Sequence, residues 1–571
     1  MEKYRVELKN HYLNNSIVIN LSNKDFVDGT YIISKPGLYR LKENIIFEPK
    51  NFSPTSEIYN TDAYSLDFFS AISVKCSDVI IDGNGHEIGM SLTYLAAQRF
   101  FSIIELADTP FLPGQGPGNF GSTITSGNKV IIENITLSNS SHHCLRSNKS
   151  WKVYVRNAIL KNFEVAGMAF NGGHNFQFKN IKIGPTLENP PVNAFFSAAR
   201  FLPRFLERLK DKVNEDELIK LNSLKNTIEE RTNNVLKEIK DTGETSDEFF
   251  RNKFGIPDGN VYGILMHSDG VAINDFNTSD KKIKKIKMKN IEIDGLKCKV
   301  TETVGISGKN GVGVQTDSTG AIFDILSNTD ENGNYKGDIL SEIRLFIAEM
   351  DIKYGLTSGK NNITQDLINW SKGFENISYL LSLGYKYKCN GDVMFHVNKG
   401  LMGIRLDSCY CIKLDNIYIS NLYNIGYLGN DIIDNNYSIS HDMQKFEGYT
   451  GNRVIGISVN DCDKFSIDNV EIENLFSRNG NCDGVWVFNK SNGQLCNSHI
   501  KNLTCGNGFN NGKCLGIGFN GDEREFSANL PNKIPCAFGI KIEKNSNVEI
   551  GSYKIENIKA PGIAGKLIYL D

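Results

Sequence analysis

No apolar run in this 571-residue chain exceeds the length of a strand, so no segment is expected to cross a membrane as a helix. The opening residues, MEKYRVELKNHYLNNS, lack the apolar core of a secretory signal, which sets the expectation of an intracellular or virion-associated protein. An excess of positive charge is also missing. The formal net charge is −3 and the pI about 6.4, which offers no basic field for nucleic acid, and none is expected as a partner. The twelve cysteines have no compact spacing: CxxC pairs and HExxH are both absent, and CYC at 409–411 is too tight for a usual zinc clip. They read as reduced thiols buried as small apolar groups, and neither a metal nor a cofactor is expected.

What is present is a repeat. KVIIENITL (129–137), KVYVRNAIL (152–160) and NFQFKNIKI (175–183) align without a gap and place Asn134, Asn157 and Asn180 at a fixed spacing of 23. Each copy alternates apolar and polar positions, the pattern of a strand with one buried face. Related strands follow at 286–293, 412–419, 465–472 and 548–555. Between them lie strands opening on Gly and an apolar residue: GMAFN (167–171), GILMH (263–267), GVQTD (313–317), GIRLD (403–407), GISVN (456–460), GVWVF (484–488) and GIKIE (539–543). Self-similarity at this period argues for stacked laps of chain. The expected fold is all-β: a right-handed parallel β-helix, a single-stranded solenoid of roughly ten coils, about 50 Å long at ~4.8 Å per strand pair. Asn tolerates a left-handed corner and can bond to its copy in the next coil.

The domain reading is a lead-in and cap over 1–75, then the β-helix over 76–571. Aligning the coils puts the long insertions, 184–262, 297–312, 329–402, 422–455 and 503–538, at one step of the repeat, so they should decorate one side of the rod. Segments 193–213, 216–240 and 338–350 carry helical apolar spacing, with Leu218, Leu221, Leu224, Ile228 and Val235 forming one stripe. A helical hairpin folded onto the rod is the expectation.

PGLYRL, ENIIF and VIIDGNGHEI, within 36–88, together resemble the opening coils of the pectin-lyase-like β-helix superfamily, in its carbohydrate-binding and sugar-hydrolase branch with viral fibre and tail members. The resemblance implies fold more than activity, since the superfamily spans lyases, hydrolases, epimerases, adhesins and viral fibres. Its enzymes work on polysaccharides lying across the rod. Asn328-Thr329-Asp330 matches the first hydrolase signature, but the Asp pair and Gly-His-Gly that should follow do not occur. The lyase pattern of an Asp cluster with Arg-x-Pro-x-x-Arg is missing too.

One column generated by the alignment carries chemistry: Asn148, Asn171, His267, Asp317, Asp407 and Asn460 close successive Gly-led strands. His267, Asp269, Asp317 and Asp407 are the candidate catalytic set, a His and carboxylates on neighbouring coils able to serve as general acid and base. The competing reading of the column is a turn ladder that satisfies backbone groups. Tyr154, Tyr418 and Trp486 are candidate sugar-stacking aromatics. His142-His143-Cys144 is a compact polar group, but alternation should point its imidazoles apart, so no shared metal is expected. The functional expectation is a structural or surface β-helix protein of the virion kind, homo-oligomeric and contacting a glycan through its inserted face. The alternative is a polysaccharide-active lyase, hydrolase or epimerase.

Overall fold

A computed structural model of the chain describes residues 2–50, 68–97, 101–110, 123–187, 213–246, 261–268, 282–298, 302–308, 313–315, 391–397, 400–424, 453–477, 481–505, 514–517, 523–526, 536–543, 545–560 and 562–570. Within them the chain is mostly strand and builds two long parallel sheets, which it visits alternately. The first sheet has sixteen described strands, among them Val18–Leu21, Gly37–Leu41, Asn128–Ser140, Trp151–Phe163, His174–Ile183, Ile283–Asp294, Cys409–Asn424 and Asp463–Ser477. The second has eleven, running in order from Tyr31–Ile33 through Ser102–Glu105, His143–Asn148, Ala166–Asn171, Val261–His267, Leu401–Asp407, Val454–Asn460 and Cys482–Phe488 to Ala564–Leu570. Both sheets therefore already begin inside the residues expected to form a lead-in.

Within the repeat the alternation is interrupted once, at the Asn. Val130 and Ile132 are buried, then Ile135 and Leu137, so the inward phase slips by one residue at Asn134. Asn134 has φ +51°, and a left-handed residue of this kind turns the strand through a corner. Such a backbone costs most L-residues roughly 1–2 kcal/mol, and Asn among the least. Its amide also makes the corner cooperative. Asn157 Nδ2 donates to Asn134 Oδ1 (3.1 Å), Asn180 to Asn157 (3.0 Å), Asn290 to Asn180 (2.8 Å) and Asn416 to Asn290 (2.9 Å). A second ladder joins Asn421, Asn474, Asn502 and Asn557. The three founding asparagines are stacked in register, as their spacing requires.

The interior between the sheets is a continuous apolar stack that includes Phe170, Phe176, Phe178, Ile264, Met288, Ile404, Leu414 and Ile457. The Gly-led strands pass so close that a Cβ on Gly403 would meet Gly456 O at 2.6 Å and Ile419 Cδ1 at 2.9 Å. That contact is why Gly opens the strand. Ten cysteines whose side chains the structure describes are free thiols, and six of them, including Cys144, Cys409 and Cys462, are buried.

Three additions surround the sheets. Helix Glu2–Asn14 lies on the outer face of the first sheet, where Tyr12 packs with Leu38, Ile80, Ile131 and Tyr154. Arg5 and Lys9 both pair with the fully buried Glu133, and Lys9 also reaches Asp82 (3.0 Å). The expected helix over 216–240 is present as Glu215–Thr242, capped by Asn214 and ended by left-handed Gly243. It packs against the short helix Leu92–Ala97 and buries Val235, Leu236 and Ile239. Segments 193–212 and 338–350 lie outside the described residues. The third addition is a five-stranded antiparallel sheet built from 302–308, 313–315, 391–397, 514–517 and 523–526.

That sheet corrects one sequence expectation. Gly313–Gln315 pairs antiparallel with 305–307, not with the Gly-led stack, and Val261–His267 pairs directly with Leu401–Asp407. A Gly followed by alternating residues specifies a strand but not the sheet it joins, because pairing is chosen by the surrounding chain. No helix of the described residues is long and apolar enough to cross a membrane.

Candidate functional site: a polar strip on the second sheet

In the second sheet Met168, Phe170, Ile264, Met266, Ile404 and Leu406 face the core. The intervening residues therefore face outward and stack into columns one strand spacing apart, ~4.8 Å. One column reads Asn148, Asn171, His267, Asp407, Asn460. The column two residues earlier reads Glu105, Arg146, Ala169, Leu265, Arg405, Ser458, Trp486, Lys541.

Of the expected catalytic set, His267 and Asp407 are brought together, at the same register on adjacent strands. Asp269 and Asp317 lie outside the described residues, and the strand leading to Asp317 belongs to the antiparallel sheet. Asp407 is not a free carboxylate. Its Oδ2 accepts from Arg405 Nε (2.7 Å) and Nη2 (2.6 Å), while Arg405 Nη1 donates to Tyr262 Oη (2.9 Å). Its Oδ1 is buried without a hydrogen-bond partner among the described residues, and so is Asn171 Oδ1 one strand to the other side of His267. Asn171 spends its amide on Asn148 Oδ1 (2.8 Å). The column is thus only in part a ladder: His267 stands between two unused acceptors.

The strip continues toward Glu105, which is fully buried beside Arg146. Burial lifts the Glu105 carboxyl to about 7 against the pull of Arg146, and its Oε2 has no described partner. Burial, with His142, Arg146 and His267 nearby, pushes the His143 imidazole well below the usual histidine range. His142 and His143 do not point apart as expected: their Nδ1 atoms lie 2.6 Å from each other. His142 sits in the bend before the strand begins at His143, so alternation does not apply to it. Among the described residues no three His, Cys, Asp or Glu side chains gather in a set that could hold a metal ion.

Two of the three expected stacking aromatics are not available surfaces. Tyr154 is 3% exposed beneath the N-terminal helix and donates its hydroxyl to Glu2 (2.6 Å). Trp486 is also 3% exposed, stacked on Phe488, with Arg453 and Lys541 each 4.3 Å from its ring. Its Nε1 donates to Glu543 (3.0 Å). Nearby Asp483 is buried with both oxygens unpartnered among the described residues, and burial raises its pKa against Lys541 and Arg453. Tyr418 is half-buried and donates to Glu473. Glu105, Arg146 and Arg405 were missed by sequence reasoning; the outward column two positions before His267 carries the signal for the two arginines.

The fold and strip define a mostly β protein with two long parallel sheets and a row of buried acceptors on one of them. No family model matches the chain, and no curated protein does. Among solved structures it is similar to the Geobacillus virus E2 ORF18 protein, at 8% identity and a TM-score of 0.29, covering 96% of this chain and 64% of that one. It is similar also to the Streptococcus pneumoniae surface adhesin PfbA, at 10% identity and 0.25, covering 97% and 91%. A third is the tailspike gp49 of Acinetobacter baumannii bacteriophage Fri1, a capsular polysaccharide depolymerase, at 6% and 0.24, covering 94% and 62%. Likeness at this level transfers no role, so function has to be argued from the residues.

Proposed function

We propose that the chain is a right-handed parallel β-helix that serves as a structural protein of a virion or surface and holds a glycan on the outer face of its second sheet. Alternate visits to two parallel sheets support one coil per strand of the second sheet, about ten, and crossovers between parallel strands are right-handed in ~98% of cases. The pairing of 391–397 with 514–517, from two different insertions, supports their emergence on a common side. Exposed Ile563 and Tyr569 are apolar surface that a second copy in a homo-oligomer would cover.

One observation carries the glycan reading: Asn171 Oδ1 and Asp407 Oδ1 are buried acceptors without described partners on either side of His267. A buried acceptor left unpaired costs about 1–3 kcal/mol, which a hydroxyl-rich ligand recovers by donating to it. Binding is favoured over cleavage because Arg405 holds the Asp407 carboxylate as a charge-assisted pair. The test is calorimetric titration of the full chain with a panel of neutral and acidic oligosaccharides, alongside a reducing-end assay. Binding that His267→Ala weakens, without chain cleavage, is the expected result. Release of reducing or unsaturated ends that His267→Ala abolishes selects the alternative, a polysaccharide-active enzyme using His267 and Asp407. Absence of any binding removes both.

A further inference from the structure

The outer face of the first sheet carries a second surface that the strip above does not use. Strands His174–Ile183, Ile283–Asp294 and Cys409–Asn424 are adjacent there, just beyond the area covered by the N-terminal helix. Their outward positions stack Gln177, Lys287 and Lys413 in one column and Lys179, Lys289 and Asp415 in the next. Lys287, Lys289 and Lys413 are exposed. Lys289 pairs with Asp415 (2.7 Å), but Lys287 and Lys413 form no ion pair among the described residues. In a chain of net charge −3 this basic concentration is local, and both ends of it are closed by acid: Glu2 on the helix side, Asp415 and Asp468 on the other.

We propose that this three-strand surface binds a segment of polyanionic polysaccharide. Ammonium groups on neighbouring strands recur at ~4.8 Å, a pitch at which a single extended chain of acidic sugars can present one anionic group to each. Lysine is a compact point charge without the planar fork of arginine, and it suits carboxylates or sulfate esters held at loose geometry. Two strand steps make the strip only ~10 Å long. A nucleic-acid duplex laid across it would carry phosphates onto Asp415 and Asp468, and the like charges oppose that partner.

The experiment uses the full chain and the double variant Lys287→Glu/Lys413→Glu, with polygalacturonate, dextran sulfate, neutral dextran and a single-stranded oligonucleotide as probes. Both substituted side chains are exposed, so circular dichroism should be unchanged. The wild type is expected to bind one or both charged polysaccharides, less tightly as salt is raised, and to ignore neutral dextran. The double variant is expected to lose at least about tenfold in affinity. Binding of polygalacturonate alone identifies carboxylates as the recognised group, and of dextran sulfate alone sulfate esters. His267→Ala should leave this binding intact, which separates it from the second-sheet reading. The proposal is overturned if neither charged polysaccharide binds, if charge reversal leaves affinity unchanged, or if the oligonucleotide binds more tightly than both.

Discussion

His267 and Asp407 sit side by side on adjacent parallel strands, in register, although the insertions 297–312 and 329–402 separate them along the chain. Arg405 clamps one oxygen of Asp407 and leaves the other without a partner among the described residues. Arg405→Ala therefore strands a largely buried carboxylate. It should lower stability by about 1–3 kcal/mol in urea unfolding and weaken glycan binding together with it. Arg405→Lys should rescue little, because a single ammonium cannot reproduce the contacts to Asp407 and Tyr262 at once.

The asparagine ladder allows strain and hydrogen bonding to be separated. Asn157 has φ +45°, donates to Asn134 and accepts from Asn180. Asn157→Ala loses both bonds and takes on a left-handed backbone, so a loss of ~2–4 kcal/mol in chemical denaturation is expected. Asn157→Gly removes only the bonds and should lose about half as much.

Gly403 tests the closeness of the second sheet. A methyl group there meets Gly456 O and Ile419, both fixed by the core. Gly403→Ala should lower stability by ~1–3 kcal/mol and reduce hydrogen-exchange protection in 401–407 and 454–460 before it affects distant strands.

Helix Glu2–Asn14 is held down by charge as well as by Tyr12. Arg5→Ala/Lys9→Ala leaves Glu133 buried and unpaired, at an expected loss of about 3–5 kcal/mol. Adding Glu133→Gln to that pair should restore much of the loss. No restoration would mean that apolar packing alone holds the helix.

Glu105 gives the pH dependence. Burial holds its carboxyl at about 7 in the folded chain, against an ordinary value of 4.5. Between these values the folded chain keeps a proton that the unfolded chain has lost. The contribution of Glu105 to stability is therefore complete below 4.5 and is lost as pH rises through 7. The difference amounts to at most about 3 kcal/mol. Glu105→Gln should flatten the fall in urea midpoint across that window, and an unchanged slope would mean Glu105 is ionised in the folded protein.

Much of the ladder was legible because its cause is local. The interval between Asn134, Asn157 and Asn180, the inward apolar phase and the left-handed corner are all backbone properties that each copy of the repeat carries for itself. That His267 and Asp407 close strands of one column was legible for the same reason, although the spacing also set Asp317 between them and the two strands pair directly. The sheet joined by 313–315, the bend that turns His142 toward His143, and the carboxyl of Glu105 were not, because each depends on which other segment arrives beside it.

By itself the sequence determined that strands recur, which face of each is apolar and where the chain turns, since alternation and corner residues act over a few positions. Only the tertiary structure decided what lies over the outward faces. Tyr154 and Trp486 read alike as exposed aromatics, yet one is sealed by the N-terminal helix and the other by Arg453, Lys541 and Phe488. Burial of an outward side chain is set by elements remote in the chain that pack onto it, and no local pattern encodes their arrival.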